Sequence, residues 1–255
     1  MRLEMQTDVA HGLKSGSQIA RCVTECWGGQ NLYCAACNAS TLQRTRANTE
    51  VGDFTCTTCD ARYEMKAGRT WNEHRIPDAG YHAMMRAINS ERVPNLLVLQ
   101  YTPHWFVANL MLVPSFFFTS SAIEKRPPLG PKARRAGWIG CNILLKAIPA
   151  QGRLRMVQDG VPADPHHVRQ FFAALRPLSR IPVQLRGWTL DVWNVVNRLG
   201  LEFVLQDVYR LENELQQLHP GNRNVRPKIR QQLQVLRRFG FLTFSGAGRY
   251  VRTSI

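Results

Sequence analysis

Long hydrophobic runs are absent from this sequence. A membrane-spanning helix needs about 18 consecutive apolar residues, and the longest apolar patch, 105–118, is interrupted by Asn109, Pro114 and Ser115. The first residues, M-R-L-E-M-Q-T-D, include acids and lack the apolar core of a secretory signal. We therefore expect neither a membrane span nor a secretory signal.

Acidic side chains are also scarce. The chain has 18 Asp and Glu against 33 Lys and Arg, for a net charge of +15, and its isoelectric point is about 10.2. Between His219 and Ile255 there are eight basic residues and no acid. A protein this basic is typically a partner of a polyanion. Nucleic acid is the first candidate, and a membrane surface is the second.

The seven cysteines are an odd number, and four of them form a metal-ligand pattern. C-A-A-C at 34–37 and C-T-T-C at 56–59 are separated by eighteen residues, which is a typical zinc-ribbon spacing. Four thiolates complete a tetrahedral shell with no open position, so we predict structural Zn²⁺. The ligands would be Cys34, Cys37, Cys56 and Cys59. The alternatives are two disulfides or four buried thiols.

The other cysteines are Cys22, Cys26 and Cys141. Reduced thiols fit a cytoplasmic protein. Cys22 and Cys26 lie four apart on a predicted helix, where core packing is favoured over metal binding.

Acids and a lysine are interleaved with the cysteines. Asp53 precedes the second cysteine pair, and Glu64-Met65-Lys66 follows it. In a strand, Glu64 and Lys66 share one face, and a hairpin closed by C-T-T-C brings Asp53 beside Glu64. Two carboxylates next to a lysine suit a hard cation such as Mg²⁺, which polarises a phosphate. Taken alone, this pattern also fits a solvated strand face.

The rest of the chain predicts an α/β fold with a boundary near 176–184, R-P-L-S-R-I-P-V-Q. Apolar runs at 95–102 and 108–114 predict buried strands, and 78–91 and 164–175 predict helices. After the boundary, three amphipathic helices and a hairpin around G-A-G outline a winged helix.

Two basic stretches are candidate DNA contacts. The segment 125–142 is a Pro- and Gly-rich loop that carries Arg134, Arg135 and Trp138. It could equally be a solvated loop with Trp138 in the core. The third C-terminal helix, 226–239, offers polar side chains at the start of a recognition helix. They are Lys228, Arg230, Gln231, Gln232 and Gln234.

Three further residues have competing interpretations. Glu25, on a predicted helix before the hairpin, could reach the metal or serve as a solvated or capping residue. His166 and His167 are adjacent on a helix, so they do not face one site, and surface positions are favoured.

The acidic array resembles the catalytic motif of PD-(D/E)xK nucleases, with Gly52 where the motif name has proline. Together with A-R-R-A-G-W-I-G-C-N-I at 133–143, R-G-W-T at 186–189 and K-I-R-Q-Q-L-Q at 228–234, the chain resembles the methyl-directed restriction endonucleases of the DpnI and Dam-replacing family nearly end to end.

The resemblance implies a PD-(D/E)xK nuclease domain with an inserted four-Cys zinc site at 1–180 and a winged-helix domain at 181–255. It implies Mg²⁺-dependent cleavage of double-stranded DNA at GATC carrying N6-methyladenine, by a monomer. Asp53, Glu64 and the Met65 carbonyl would bind Mg²⁺, Lys66 would assist the attacking water, and Trp138 would touch the adenine methyl groups.

Two other functions remain open at this point. One is a regulator or reader of methylated DNA that does not cleave, which the intact acidic array disfavours. The other is an RNA-binding zinc protein, for which an internal acidic site is a poor fit.

Overall fold

The computed structural model describes residues 1–45, 52–70, 72 and 74–253. The start of the strand predicted around Asp53, at 49–51, lies outside these residues. The helices are α1 Gly16–Asn31, α2 Tyr81–Asn89, α3 Pro165–Leu175, α4 Val183–Val196, α5 Leu205–Tyr209, α6 Glu212–Leu218 and α7 Val225–Arg238. No helix in the described ranges is long and apolar enough to span a membrane.

The strands are short, and most of them pair antiparallel with a neighbour. They are β1 Gln43–Arg44, β2 Phe54–Thr55, β3 Arg62–Gly68, β4 Arg75–Gly80, β5 Asn95–Tyr101, β6 Val107–Val113, β7 Ile123–Lys125, β8 Gly140–Leu144, β9 Leu154–Gln158, β10 Val161–Pro162, β11 Glu202–Val204, β12 Leu242–Gly246 and β13 Arg249–Arg252. The α/β class is thereby confirmed.

The chain divides into two compact units. Unit 1 comprises Met1–Glu73, Val93–Ser115 and Gly152–Leu175. Unit 2 comprises His74–Arg92, Phe116–Gln151 and Arg176–Ile255. Unit 2 therefore takes two segments from before the boundary predicted near residue 180.

Unit 1 is built on a seven-stranded sheet in the order β1-β2-β3-β5-β6-β9-β10. Only β3 and β5 are parallel to each other; the other neighbours are antiparallel. β5 and β6 are almost entirely buried, which confirms the two strands predicted from continuous apolar runs. α1 and α3 pack on this sheet.

Unit 2 holds two three-stranded sheets, β4-β8-β7 and β11-β13-β12. The predicted helix at 78–91 begins later, at Tyr81, because 75–80 pairs with β8 as strand β4. In the C-terminal part, the predicted order of helices followed by a hairpin is confirmed, but the structure has four helices where three were predicted, because 205–218 forms both α5 and α6. Strand β11, which pairs with β13, was not predicted.

Helix α4 packs on an earlier segment of unit 2 and on the chain that follows α7. The Trp193 ring lies 6.2 Å from Phe117 and 4.5 Å from Phe241, measured between ring centroids. Ser121 Oγ donates to Asp191 Oδ1 over 2.8 Å, and the buried Arg186 guanidinium donates to Glu91 over 3.1 Å. Helix α4 is thus tied to chain segments that precede residue 180.

Candidate active site and metal centre

The hairpin β2–β3 brings Asp53 to the strand that carries Glu64 and Lys66. The Asp53 amide donates to the Tyr63 carbonyl over 2.9 Å, which continues the Phe54–Tyr63 register by one residue. Asp53 Oδ2 accepts a hydrogen bond from the Met65 amide over 2.8 Å. The carboxylate therefore has a fixed position against β3.

Glu64 and Lys66 lie on one face of β3, as the alternation of the strand predicts. Tyr63 and Met65 are buried, whereas Glu64 and Lys66 are half-buried. The Lys66 ammonium donates to Glu64 Oε1 in an ion pair. The three predicted catalytic side chains thus share one short hairpin.

Gly52 allows the chain to enter this hairpin. Its φ is +101°, and a Cβ placed there would lie 2.7 Å from the Tyr63 carbonyl oxygen. Proline holds φ near −65°, so it cannot occupy this conformation. The absence of the motif's proline follows from the backbone at this position.

Glu25 on α1 forms ion pairs with two arginines. It is buried, it accepts from Arg21 Nε over 2.5 Å, and it pairs with the Arg44 guanidinium. The Glu25 hydrogen bond and charge raise the pKa of Arg21, with a smaller contribution from Asp53. Arg21 therefore lies within electrostatic reach of Asp53, and the ion pairs give Glu25 a structural role. The sequence analysis did not predict a role for either arginine, because no pattern in the neighbouring sequence indicates that both pair with Glu25.

The four predicted zinc ligands form one cluster. Their sulfur atoms all lie within 4.8 Å of one another, with Cys34–Cys59 at 3.6 Å and Cys37–Cys56 at 3.5 Å. A disulfide requires about 2.05 Å, and the cysteines are free. Zn–S bonds of about 2.3 Å place tetrahedral sulfurs about 3.8 Å apart. The donor set therefore fits Zn²⁺.

The cluster is joined to the strand that carries Glu64. Tyr63 Oη lies 3.2 Å from Cys34 Sγ and accepts from the Ala35 amide over 3.1 Å. Burial raises the pKa of Tyr63, so the phenol stays neutral, and burial also raises the pKa of Cys34. At Cys56 burial acts in the same direction, but hydrogen bonds from neighbouring backbone and thiols outweigh it and lower the pKa to about 7.

Arg169 on α3 closes the outer side of the first cysteine turn. Its guanidinium donates to the carbonyls of Cys34, Cys37 and Ala39 over 3.0, 2.9 and 3.0 Å. It also lies over the Tyr33 ring, 5.0 Å from the centroid. These partners are some 130 residues distant in sequence, and no local signal marked Arg169.

We expect Arg169→Ala to destabilise the cysteine turn. Losing a charged donor to three carbonyls should cost about 2 kcal/mol, which corresponds to a melting temperature lower by about 4–8 °C. Thermal melting and the rate of zinc release to a chelator measure the effect. Gln170→Ala, an exposed neighbour on the same helix, is the control. Equal melting of the two variants would contradict the role given to Arg169.

The predicted basic loop, 125–142, is shorter in the structure, because Lys125 ends β7 and 140–142 belong to β8. The loop that remains between the two strands is held by backbone hydrogen bonds. The Arg126 amide donates to the Gly140 carbonyl over 3.0 Å, and the Leu129 amide donates to the Trp138 carbonyl over 2.9 Å. Arg134 is exposed at the tip. The loop therefore presents its cations from a defined backbone.

Trp138 lies at the base of this loop and is half-buried. The exposed Arg135 guanidinium lies over its ring, 4.9 Å from the centroid. The indole is therefore neither solvated on all sides nor fully in the core.

Four of the five candidate DNA contacts on α7 are accessible. Arg230, Gln231 and Gln234 are exposed, and Lys228 is half-buried. Gln232 is different: it is 1 % exposed, and its Oε1 accepts from Thr189 over 2.7 Å. The prediction that Gln232 contacts DNA therefore needs correction, because its side chain is used inside the unit.

Two family models match this chain and together cover most of its length. The model of the Dam-replacing family, DpnI, matches residues 1–181, and the Dam-replacing HTH domain matches residues 184–252. The chain belongs to the Dam-replacing family. The resemblance found in the sequence is confirmed.

Membership in the Dam-replacing family implies that the protein is a nuclease and that it acts in methylation-dependent restriction. The Dam-replacing HTH domain spans α4 to β13 and implies DNA binding. In this domain Arg226 holds α6 to α7 by a bidentate pair with Glu212, at 2.6 and 2.8 Å, and lies 5.1 Å from the Tyr209 centroid. No pattern in the sequence marks this pair, which joins the first turn of α7 to α6.

The histidines predicted to be at the surface of this Dam-replacing protein are exposed. His166, His167 and Asp164 offer ligand atoms within 4.8 Å of one another. Asp164 Oδ1 accepts from the His166 amide over 2.9 Å, as the side chain of a capping residue before α3 does.

Proposed function

We propose that this protein is a methylation-dependent type II restriction endonuclease that cleaves double-stranded DNA at GATC carrying N6-methyladenine. The observation that carries the proposal is the convergence of Asp53, Glu64 and Lys66 on one hairpin in a member of the Dam-replacing family. We assign this hairpin to a PD-(D/E)xK core.

The oxygen donors around β3 fit Mg²⁺. Asp53 and Glu64 supply carboxylates, and hard cations of this kind prefer such ligands. The Met65 amide points to Asp53, and in a strand the N–H and C=O of one residue point to the same side. The Met65 carbonyl therefore faces Asp53 as a third ligand. When bound, Mg²⁺ polarises the scissile phosphate and lowers the pKa of a bound water.

The chain's own residues supply the remaining chemistry. The Met65 amide fixes Asp53, so the carboxylate needs little reorganisation to act. The Lys66 ammonium, held beside Glu64, orients the attacking water and offsets charge on the phosphate. In the reaction, the water oxygen bonds to phosphorus and one P–O bond to a sugar breaks. The attacking water gives up one proton to solvent, and the leaving sugar oxygen takes up one proton to become a hydroxyl.

DNA is read by two elements of unit 2. In the loop, Arg134 and Arg135 contact phosphates, and the indole of Trp138 contacts the adenine methyl groups. In the winged helix of 181–255, α7 enters the major groove. Its contacts are Lys228, Arg230, Gln231 and Gln234.

A methyl group adds only apolar area, at about 25 cal/mol per Å². Each element therefore contributes a modest preference for methylated DNA. Because both act on the same mark, their preferences multiply.

The proposal is tested with Mg²⁺ and two plasmids, one methylated at GATC adenines and one unmethylated. We expect fragments ending at GATC from the methylated plasmid alone. Cleavage of both would remove the methyl specificity and keep the nuclease. Binding to methylated DNA without cleavage of either would favour the non-cleaving reader.

A further inference from the structure

The Trp138 indole lies across two glycines that face each other on neighbouring strands. Gly80, at the end of β4, pairs directly with Gly140, at the start of β8. Atoms Nε1 and Cε2 of the indole lie nearest Gly80, and Cζ3 and Cη2 lie nearest Gly140. The ring therefore spans the pair from its five-membered edge to its six-membered edge.

Neither position has room for a side chain under the present ring. A Cβ at Gly140 would lie 2.8 Å from Cζ3 and 2.9 Å from Cη2 of Trp138. A Cβ at Gly80 would lie 3.4 Å from Nε1. An alanine at 140 must displace the indole, whereas an alanine at 80 requires a shift of a few tenths of an ångström.

The glycines are not required by their own backbone. Gly80 has φ −64° and ψ 133°, and Gly140 does not lie in the positive-φ region, so both conformations are open to other residues. Glycine in a strand is destabilising relative to alanine, because it loses more backbone freedom on folding. An aromatic ring laid over strand glycines recovers part of this by packing on the exposed backbone. Packing alone, however, does not need two glycines opposite each other.

We propose that Gly80 and Gly140 are positioning residues for methyl recognition, because they set the height and tilt of the Trp138 indole. This inference rests on the proposed function, in which Trp138 touches the adenine methyl. The glycines lie against the ring, so DNA must contact the part of the indole that they leave open. The Arg135 guanidinium lies 4.9 Å from the ring centroid in the free protein. A gap of 0.5–1 Å removes about a quarter to a half of a dispersion contact. A Cβ at either glycine displaces or tilts the ring, so part of the indole no longer fits the methyl group, while the phosphate contacts stay in place.

The test uses the full chain with Ca²⁺ in place of Mg²⁺, and measures the dissociation constants for methylated and unmethylated GATC duplexes. Contact with one methyl group contributes a preference of about fourfold. We expect Gly140→Ala to lose most of the preference that Trp138→Ala loses, and Gly80→Ala to lose less. Affinity for unmethylated DNA should change less than twofold.

Gly130→Ala is the matched control. It lies in the same loop, and a Cβ there meets no atom within 4 Å. It should keep the full preference. Thermal melting checks folding, and Gly80→Ala, with its milder contact, keeps the inference testable where Gly140→Ala does not fold.

The outcomes distinguish failure of the glycine inference from failure of the proposed role of Trp138. If Trp138→Ala lowers the preference but both glycine variants retain it, the glycine inference is overturned and the proposed function stands. If Trp138→Ala itself retains the preference, the methyl-reading role of Trp138 is wrong, and the glycine inference fails with it. A loss of methyl preference that is largest for Gly140→Ala, smaller for Gly80→Ala and absent for Gly130→Ala supports both the glycine inference and the methyl-reading role of Trp138.

Discussion

Asp53→Ala abolishes DNA cleavage, with an expected loss of at least about 10³-fold. The variant removes one of the two carboxylates of the proposed catalytic site and leaves the Met65 amide without its acceptor. Binding to methylated DNA should remain within about twofold, because the DNA-reading residues lie on other elements. Single-turnover cleavage and a binding titration on the same duplex measure the two quantities.

Two further variants sharpen this result. Asp53→Asn keeps the shape and an acceptor for Met65 but loses the charge, so it should be nearly as inactive as alanine. Asp8→Ala removes an exposed carboxylate from the same unit and should cut normally. Cleavage by Asp53→Ala at the wild-type rate would show that the active site lies elsewhere.

Cys34→Ser removes zinc and unfolds unit 1. Structural zinc sites contribute about 10–16 kcal/mol in small peptides, which matches or exceeds the whole stability of about 5–15 kcal/mol of a typical domain. Cys34 also contacts Tyr63, next to Glu64 on β3. We therefore expect loss of bound zinc, loss of the cooperative melting of unit 1, and loss of cleavage that added Mg²⁺ does not restore.

Cys22→Ser is the control for this prediction. Cys22 lies in the same unit outside the cluster, and its thiol donates to the Val9 carbonyl over 3.2 Å. A hydroxyl can make the same bond, so this variant should retain one zinc and the wild-type melting curve. A folded, zinc-free Cys34→Ser protein would refute a structural role for the metal.

The local parts of the site were predictable from sequence. Strand alternation put Glu64 and Lys66 on one face, and the repeated Cys-x₂-Cys spacing grouped the four thiols, because both features depend on neighbours in the chain. The roles of Arg169, Arg21 and Arg44 depend on distant partners, and no pattern in a single sequence marks such contacts.

Gln232 is a case in which a signal was present. It lies three residues after Ile229 and four before Leu236, both buried, so helical periodicity places it on the apolar stripe of α7. Its polarity suggested an outward side chain, whereas the Thr189 hydroxyl satisfies it inside. Strand β4 was missed for another reason: R-I-P-D-A-G has little strand character of its own, and its pairing with β8 stabilises it.

Unit 2 is built from three separate chain segments, and this limits how its C-terminal helices can be transferred to another protein. The Trp138 loop and the C-terminal helices belong to one compact body, joined by contacts such as Ser121–Asp191 and Phe117–Trp193. Grafting the C-terminal helices onto another nuclease would therefore leave Asp191 and Trp193 without these partners. An exchange that preserves unit 2 must therefore carry 74–92 and 116–151 together with 176–255.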